Sequence, residues 1–359
     1  MKKEYIIPIF VPHLGCPNAC VFCNQTKITG KQKQVTKEDV KQIIEEYLNS
    51  FKDKENKVEV AFFGGSFTAI DKNIQTELLE AAYEYVKEGK VESIRISTRP
   101  DAIDKDILKF LKKYKVKTIE LGVQSSNNYI LEKAKRGHTF EDVKKASRLI
   151  RFYGFTLGHQ MMVGLPESTA LDEVNTAKDL IKLKPKIVRI YPVLVIKDTE
   201  LEEKYKNGEY EPLSIIQAVE RCKEVANLFN SHKVKIIRIG LQNTDEITDP
   251  NNESSQVVAG PYHPAFRQLV EGGLWYDTIV NQIKKCNTKV KVVEIKANPE
   301  DINNIIGHKK ENITKLKDIY EVDVIIKPND TIKCGNFEMT VEKTYEDILE
   351  ENRDMYVKK

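Results

Sequence analysis

Short β-rich runs alternate with amphipathic helical stretches along most of the chain. "YIIPIFV" (5–11), "VEVAFFGG" (58–65), "SIRISTRP" (93–100), "TIELGVQS" (118–125), "TLGHQMMVGL" (156–165) and "IVRIYPVLV" (187–195) read as strands. Between them Val40, Ile43, Ile44, Tyr47 and Leu48 recur at helical spacing, as do Ile107, Leu108, Leu111 and Tyr114. Strands joined through helices pair in parallel, because a parallel neighbour can be reached only by a crossover. Six such repeats predict the α/β class: a partial (β/α)6-type TIM barrel with its helices outside. Chemistry in such folds sits at the carboxyl ends of the strands. A cysteine run follows the first strand, Gly64-Gly65 ends the second, Ser97-Thr98-Arg99 ends the third and Gln124 closes the fourth. All four features should face one mouth.

The pattern divides the chain. Residues 1–235 form the barrel, 236–289 an extension holding the only tryptophan, Trp275, and 290–345 a small α/β unit, with a charged terminal helix over 346–359. The small unit reads as strand 292–297, helix 299–306, turn 307–310, helix 311–320 and strand 322–328, too short for another barrel repeat.

Composition places the chain among ordinary globular proteins: 40% hydrophobic, 31% charged, net charge +3. That balance does not by itself argue for nucleic acid. No apolar run reaches the ~20 residues that span a bilayer. The start "MKKEYIIPIFVPH" is broken by Pro8 and Pro12 and reads as a first strand rather than a signal peptide. A cytoplasmic protein with reduced cysteines is expected, so the disulfide reading of the cysteine run is set aside. Cys222 and Cys286 fall in helical patterns as small hydrophobes.

Within "VPHLGCPNACVFCNQTK" (11–27), Cys16, Cys20 and Cys23 are spaced C-x3-C-x2-C. Three thiolates hold three irons of a four-iron cubane and leave the fourth iron without a protein ligand. With His13 they also form a set suited to a closed structural zinc site. Spacing alone leaves both open, and a position atop the first strand of a barrel favours the cluster.

"CPNACVFC" resembles the motif of the radical S-adenosylmethionine enzymes, with Phe22 as the aromatic before the last cysteine. "AFFGGSFTAI", "ISTRPD", "IELGVQSSNNYILEKAKRGHT" and "VRIYPVLVIKDTELEEKYKNGEY" extend the likeness over residues 5–275, to the branch that includes the radical domain of the Elongator catalytic subunit. The resemblance implies that Cys16, Cys20 and Cys23 bind a [4Fe–4S] cluster whose free iron takes S-adenosylmethionine. Reductive cleavage of that cosubstrate would then yield a 5′-deoxyadenosyl radical. It implies cofactor contacts at Phe22, Gly64, Gly65, Ser66, Ser97, Arg99, Gln124 and Gln160, with Ser66 where many relatives have a glutamate. Thr98 accompanies Ser97 and Arg99 as a possible ribose or carboxylate contact. Arg136 and His138 belong to the likeness with no assigned role. An electron donor such as a flavodoxin or ferredoxin is implied as partner.

"INNIIGHKKENITKLKDIYEVDVIIKPND" resembles a KH domain, whose helix–turn–helix clamps a single-stranded nucleic-acid backbone. The resemblance implies RNA contacts at Gly307, His308, Lys309 and Lys310, with nearby charge from Lys315 and Lys317. The turn has one glycine where the motif has two. The expected function is radical modification of an RNA, transfer or ribosomal. A radical oxidase of a small molecule such as a tetrapyrrole, or a zinc-bound RNA-binding protein without catalysis, are the competing readings.

Overall fold

The computed structural model describes residues 4–11, 20–24, 35–51, 57–242, 244 and 246–350. Its contacts divide the chain into two units, Met1–Pro264 and Ala265–Lys359.

The first unit is a curled half-barrel of parallel strands: β1 (Glu4–Val11), β2 (Lys57–Gly64), β3 (Ser93–Thr98), β4 (Val116–Gln124), β5 (Thr156–Val163), β6 (Ile187–Pro192) and, beyond a short β7 (Val195–Ile196), β8 (Lys235–Ile239). The order across the sheet is β1-β2-β3-β4-β5-β6-β8, leaving β1 and β8 as edges. The six-repeat barrel is therefore present, with β8 as a seventh strand. The crossover helices start where the sequence supplies caps. Thr36 with Asp39, Thr139 with Asp142, Thr169 with Asp172 and Ser214 with Gln217 each form a reciprocal capping box. Such caps contribute about 1 kcal/mol apiece and fix where each helix leaves its loop. Ile94, Ile96, Ile119, Leu121, Leu157 and Ile190 are buried between sheet and helices. Each stabilises by about 1.5–3 kcal/mol. Val195 and Ile196 pair antiparallel with β9 (Val257–Ala259).

The second unit opens with the helix Phe266–Ile283 and a three-stranded sheet of order β11-β10-β12. β10 (Val290–Ala297) pairs parallel to β11 (Asp323–Pro328) and antiparallel to β12 (Phe337–Thr344). Helices Pro299–Ile306 and Glu311–Tyr320 make the crossover between β10 and β11. Val293, Ile295, Ile305 and Leu316 form its core with Ile279 and Ile283, and Trp275 stands edge-on to Phe337 at 5.8 Å. The anticipated strand–helix–turn–helix–strand is there. β12 is additional, hidden in the sequence because one of its faces is charged. The stretch 236–289 is shared between the units. β8 and β9 close the first, while the helix Phe266–Ile283 buries its apolar face against β10. Residues 345–350 are helical, and the rest of the expected terminal helix lies outside the described residues. No helix among the described residues is long and apolar enough to cross a membrane.

Candidate active site

Cys16 and His13 lie outside the described residues; Cys20 and Cys23 do not. The Cys23 amide donates to the Cys20 carbonyl (3.0 Å), closing a tight turn between the two cysteines. Between them Val21 is fully buried among Ile130, Ala134, Leu165, Val193 and Leu201, with Phe22 half-buried against the same cluster. The Val21 amide donates to the Ala134 carbonyl (3.2 Å), and Leu201 donates back to Val21 (2.8 Å). The cysteine loop is thus clamped from two sides.

The clamp delivers Arg136. Its Nη1 donates to Cys20 Sγ at 3.0 Å and its Nη2 to the Gly122 carbonyl at 2.7 Å. Gly122 on β4 makes this possible: a β-carbon there would come 3.3 Å from Arg136 Nη2 and 3.4 Å from Gln124 Nε2. Two residues on, Gln124 has φ of 73°, a left-handed conformation that disfavours a side chain, and the β4–β5 register shifts there. Its Oε1 is buried without a hydrogen-bond partner among the described residues. Strain and an unmet acceptor each cost about 1–3 kcal/mol and concentrate where a ligand is held. Nearby His138 sets Nε2 3.3 Å from the Val123 carbonyl, and its Nδ1 has no partner among the described residues. Burial above all, then Arg136 and Arg99, lowers its imidazole to about 4, so it is neutral at pH 7.

At the ends of β2 and β3 several of the expected contact residues are hydrogen-bonded within the protein. Gly64 has φ of 107°, and Gly65 donates its amide to Val11 (2.9 Å), turning the chain at the mouth. The Ser66 hydroxyl is engaged within the protein. It lies 2.9 Å from Thr98 Oγ1, which lies 2.6 Å from Thr68 Oγ1, which donates to the Ala102 carbonyl at 2.6 Å. Because a carbonyl can only accept, the direction of the chain follows: Ser66 donates to Thr98, Thr98 to Thr68, and Thr68 to Ala102. The Arg99 amide donates to Ser66 Oγ (3.2 Å). Arg99 pairs its planar fork with Asp101, at 3.0 and 2.9 Å.

Ser97 and Gln160 meet inside the barrel, where Gln160 Nε2 lies 3.2 Å from both Ser97 Oγ and Glu120 Oε2. Glu120 is 1% exposed and is held by Arg95 (2.9 Å) and by Arg189 through two nitrogens (2.5 and 3.1 Å). Burial pushes its carboxyl up, but the two guanidiniums outweigh that and hold it below the ordinary carboxylate range. Arg95 also grips Glu59, and Arg189 lies over the Phe63 ring at 4.8 Å. Sequence reasoning missed this network, although a single charged residue within each apolar run "SIRIST", "TIELGVQ" and "IVRIYP" marked it.

In the second unit, Gly307 has φ of 80°, and a β-carbon there would fall 2.8 Å from Asn312 Cγ. Asn312 is buried and donates to the carbonyls of Gly272, Asn304 and Ile305. His308 Nδ1 lies 3.3 Å from Gln268 Oε1. Lys309 (φ 50°) and Lys310 (φ 65°) are exposed and left-handed in succession. Lys315 and Lys317 pair with Glu311 and Asp323, which cancels charge expected at the turn.

The model of the radical SAM superfamily matches residues 10–181, and that of the radical SAM C-terminal domain matches 185–275. The chain belongs to the radical SAM superfamily. Its cofactors are those of the superfamily, a [4Fe–4S] cluster and S-adenosylmethionine, and the unmet buried acceptor on Gln124 and the Arg136-bound thiol of Cys20 fit such groups. Among its relatives, the tRNA uridine(34) acetyltransferase of Methanocaldococcus jannaschii is 34% identical over 185 residues, 46% of this chain and 34% of that one. An uncharacterized protein of the same organism is 33% identical over 225 residues, 59% of this chain and 68% of that one. Human Elongator complex protein 3 is 28% identical over 193 residues, 48% of this chain and 35% of that one. The radical SAM chain therefore spans about a third of the length of the tRNA-uridine and Elongator relatives. The structure of the archaeal Methanocaldococcus infernus Elp3 with an N-terminal deletion matches at TM-score 0.60 and 24% identity, over 80% of this chain and 65% of that one. That likeness concerns the fold.

Proposed function

We propose that this chain is an RNA-modifying radical SAM enzyme acting on transfer or ribosomal RNA, in which Cys16, Cys20 and Cys23 hold the cluster. The observation that carries the site is the meeting of Cys20, Arg136, Gly122 and Gln124 at the carboxyl end of β4. When bound, the cluster and S-adenosylmethionine supply a carbon radical that takes a hydrogen atom from the substrate.

The chain's own residues do the rest. Gly64 and Gly65 bring bare backbone to the mouth. The Ser66–Thr98–Thr68 relay ties the end of β2 to that of β3. Gln124 Oε1 and the neutral His138 Nδ1 offer two buried acceptors, suited to the ammonium or ribose hydroxyls of the cosubstrate. The Glu59–Arg95–Glu120–Arg189 network holds the lumen open and polar below it, with Phe63 as an apolar surface beside it.

The RNA reading draws support from the tRNA-uridine relatives and from the turn at 307–310. Two successive exposed lysines held in a conformation natural to glycine put charge at the turn, as a contact to phosphate requires, while the Lys310 amide is given to the Gly307 carbonyl. Anaerobic reconstitution tests the whole reading. About four irons per chain are expected, with 5′-deoxyadenosine released in amounts that rise when the cognate RNA is added. Loss of the iron in Cys20→Ala and Cys23→Ala is expected too. Stoichiometric zinc without iron or sulfide would favour the non-catalytic alternative. Sequencing RNA crosslinked to the protein identifies the substrate.

A further inference from the structure

We propose that Arg136 is a positioning residue for the cluster, setting how readily it accepts an electron by donating to the Cys20 sulfur; this rests on the enzyme reading above. The contact is built rather than incidental. Arg136 is 7% exposed, and its second nitrogen is fixed on the Gly122 carbonyl. Its own amide donates to Leu131 (2.9 Å), closing the turn that also receives the Val21 amide on Ala134. The sulfur is held from its side by the buried Val21, packed on Ile130 and Ala134. Neither partner can move without breaking the clamp.

A hydrogen bond from a cation to a thiolate sulfur stabilises whichever redox state carries more negative charge. The reduced cluster carries one electron more than the oxidised one, so Arg136 favours it. Burial strengthens the effect, because a charge pair in a protein site interacts several-fold more strongly than in water.

The test uses the full chain, reconstituted anaerobically and kept free of S-adenosylmethionine, with the cluster titrated against potential by EPR. In Arg136→Met the reduced-to-oxidised ratio at fixed potential is expected to fall about tenfold, which for one electron is about 59 mV. Arg136→Lys, which keeps the charge but loses the fork, should recover part of it. ENDOR of the native protein should show a proton coupling to the cluster that is lost after transfer to deuterated water, and Arg136→Met should lack that coupling. That coupling reports the arginine proton on the sulfur, and the shifted ratio is what a purely structural arginine would not produce. An unchanged ratio in a variant with full iron content overturns the proposal. So does a difference that appears only once S-adenosylmethionine is added, which would put Arg136 on the cosubstrate. If Arg136→Met cannot retain iron, the lysine variant and the native proton signal decide. A native chain that takes up no cluster would overturn the enzyme reading itself, a separate result.

Discussion

Gly158 on β5 faces Glu120 on β4 with no room for a β-carbon between them. An ideal one would lie 2.9 Å from Glu120 Cγ and 2.9 Å from Ile187 Cγ1. The absent side chain lets a buried carboxylate reach across the lumen to Arg189 and Gln160. Glycine here serves space, not backbone freedom.

Gly158→Ala should therefore push Glu120 off its arginines or force the strands apart. Overpacking of this kind costs about 1–3 kcal/mol. Urea unfolding followed by circular dichroism measures it. A loss under about 0.5 kcal/mol, the level of an uneventful surface change, would show that the contact relaxes freely.

Acid should weaken the fold through buried histidine. His159 is fully buried with Nε2 2.9 Å from Ser147 Oγ, and burial lowers it to about 3 from the usual 6.5. Between those values the unfolded chain binds a proton that the folded chain refuses. Stability is thus full above pH 6.5 and lost as the pH falls toward 3, by roughly 1.4 kcal/mol per pH unit for this group. His159→Gln should flatten that slope. An equally steep acid limb in the variant would assign it to other groups.

Gln124→Met keeps the volume and deletes the amide. Because the native Oε1 has no partner among the described residues, the variant should be no less stable than the native chain, and up to about 1–3 kcal/mol more stable once the unmet acceptor is gone. Binding of S-adenosylmethionine to the reconstituted enzyme should weaken about tenfold, near 1.4 kcal/mol. Calorimetry of both proteins under anaerobic conditions compares them. Unaltered affinity would remove Gln124 from the cosubstrate site.

Reversing Lys309 and Lys310 to glutamate should weaken RNA binding and lower its salt dependence, since fewer counterions are released. Cluster content and RNA-free cleavage of S-adenosylmethionine should stay as they were. Filter binding of single-stranded RNA across a salt series gives the slope. If affinity and slope are unaltered, the turn is structural, with Gly307 serving only to admit Asn312.

The linear pattern of residues determined the order and type of the elements. Alternation of strand and helix sufficed for the half-barrel, and the unit after residue 290 could be read almost strand by strand, because hydrophobic periodicity and capping residues are local. The cysteine spacing was legible for the same reason. Tertiary structure decided which candidates were already taken. Ser66 and Arg99 looked available in the sequence, but folding gave their polar atoms to Thr98 and Asp101, since a buried donor or acceptor must find a partner. It also brought Arg136 to Cys20 across 116 positions of chain and joined Glu59, Arg95, Glu120 and Arg189 from four strands. Those pairings depend on strand register and on a missing β-carbon at Gly158 and Gly122, and neither is a property of any short stretch of sequence.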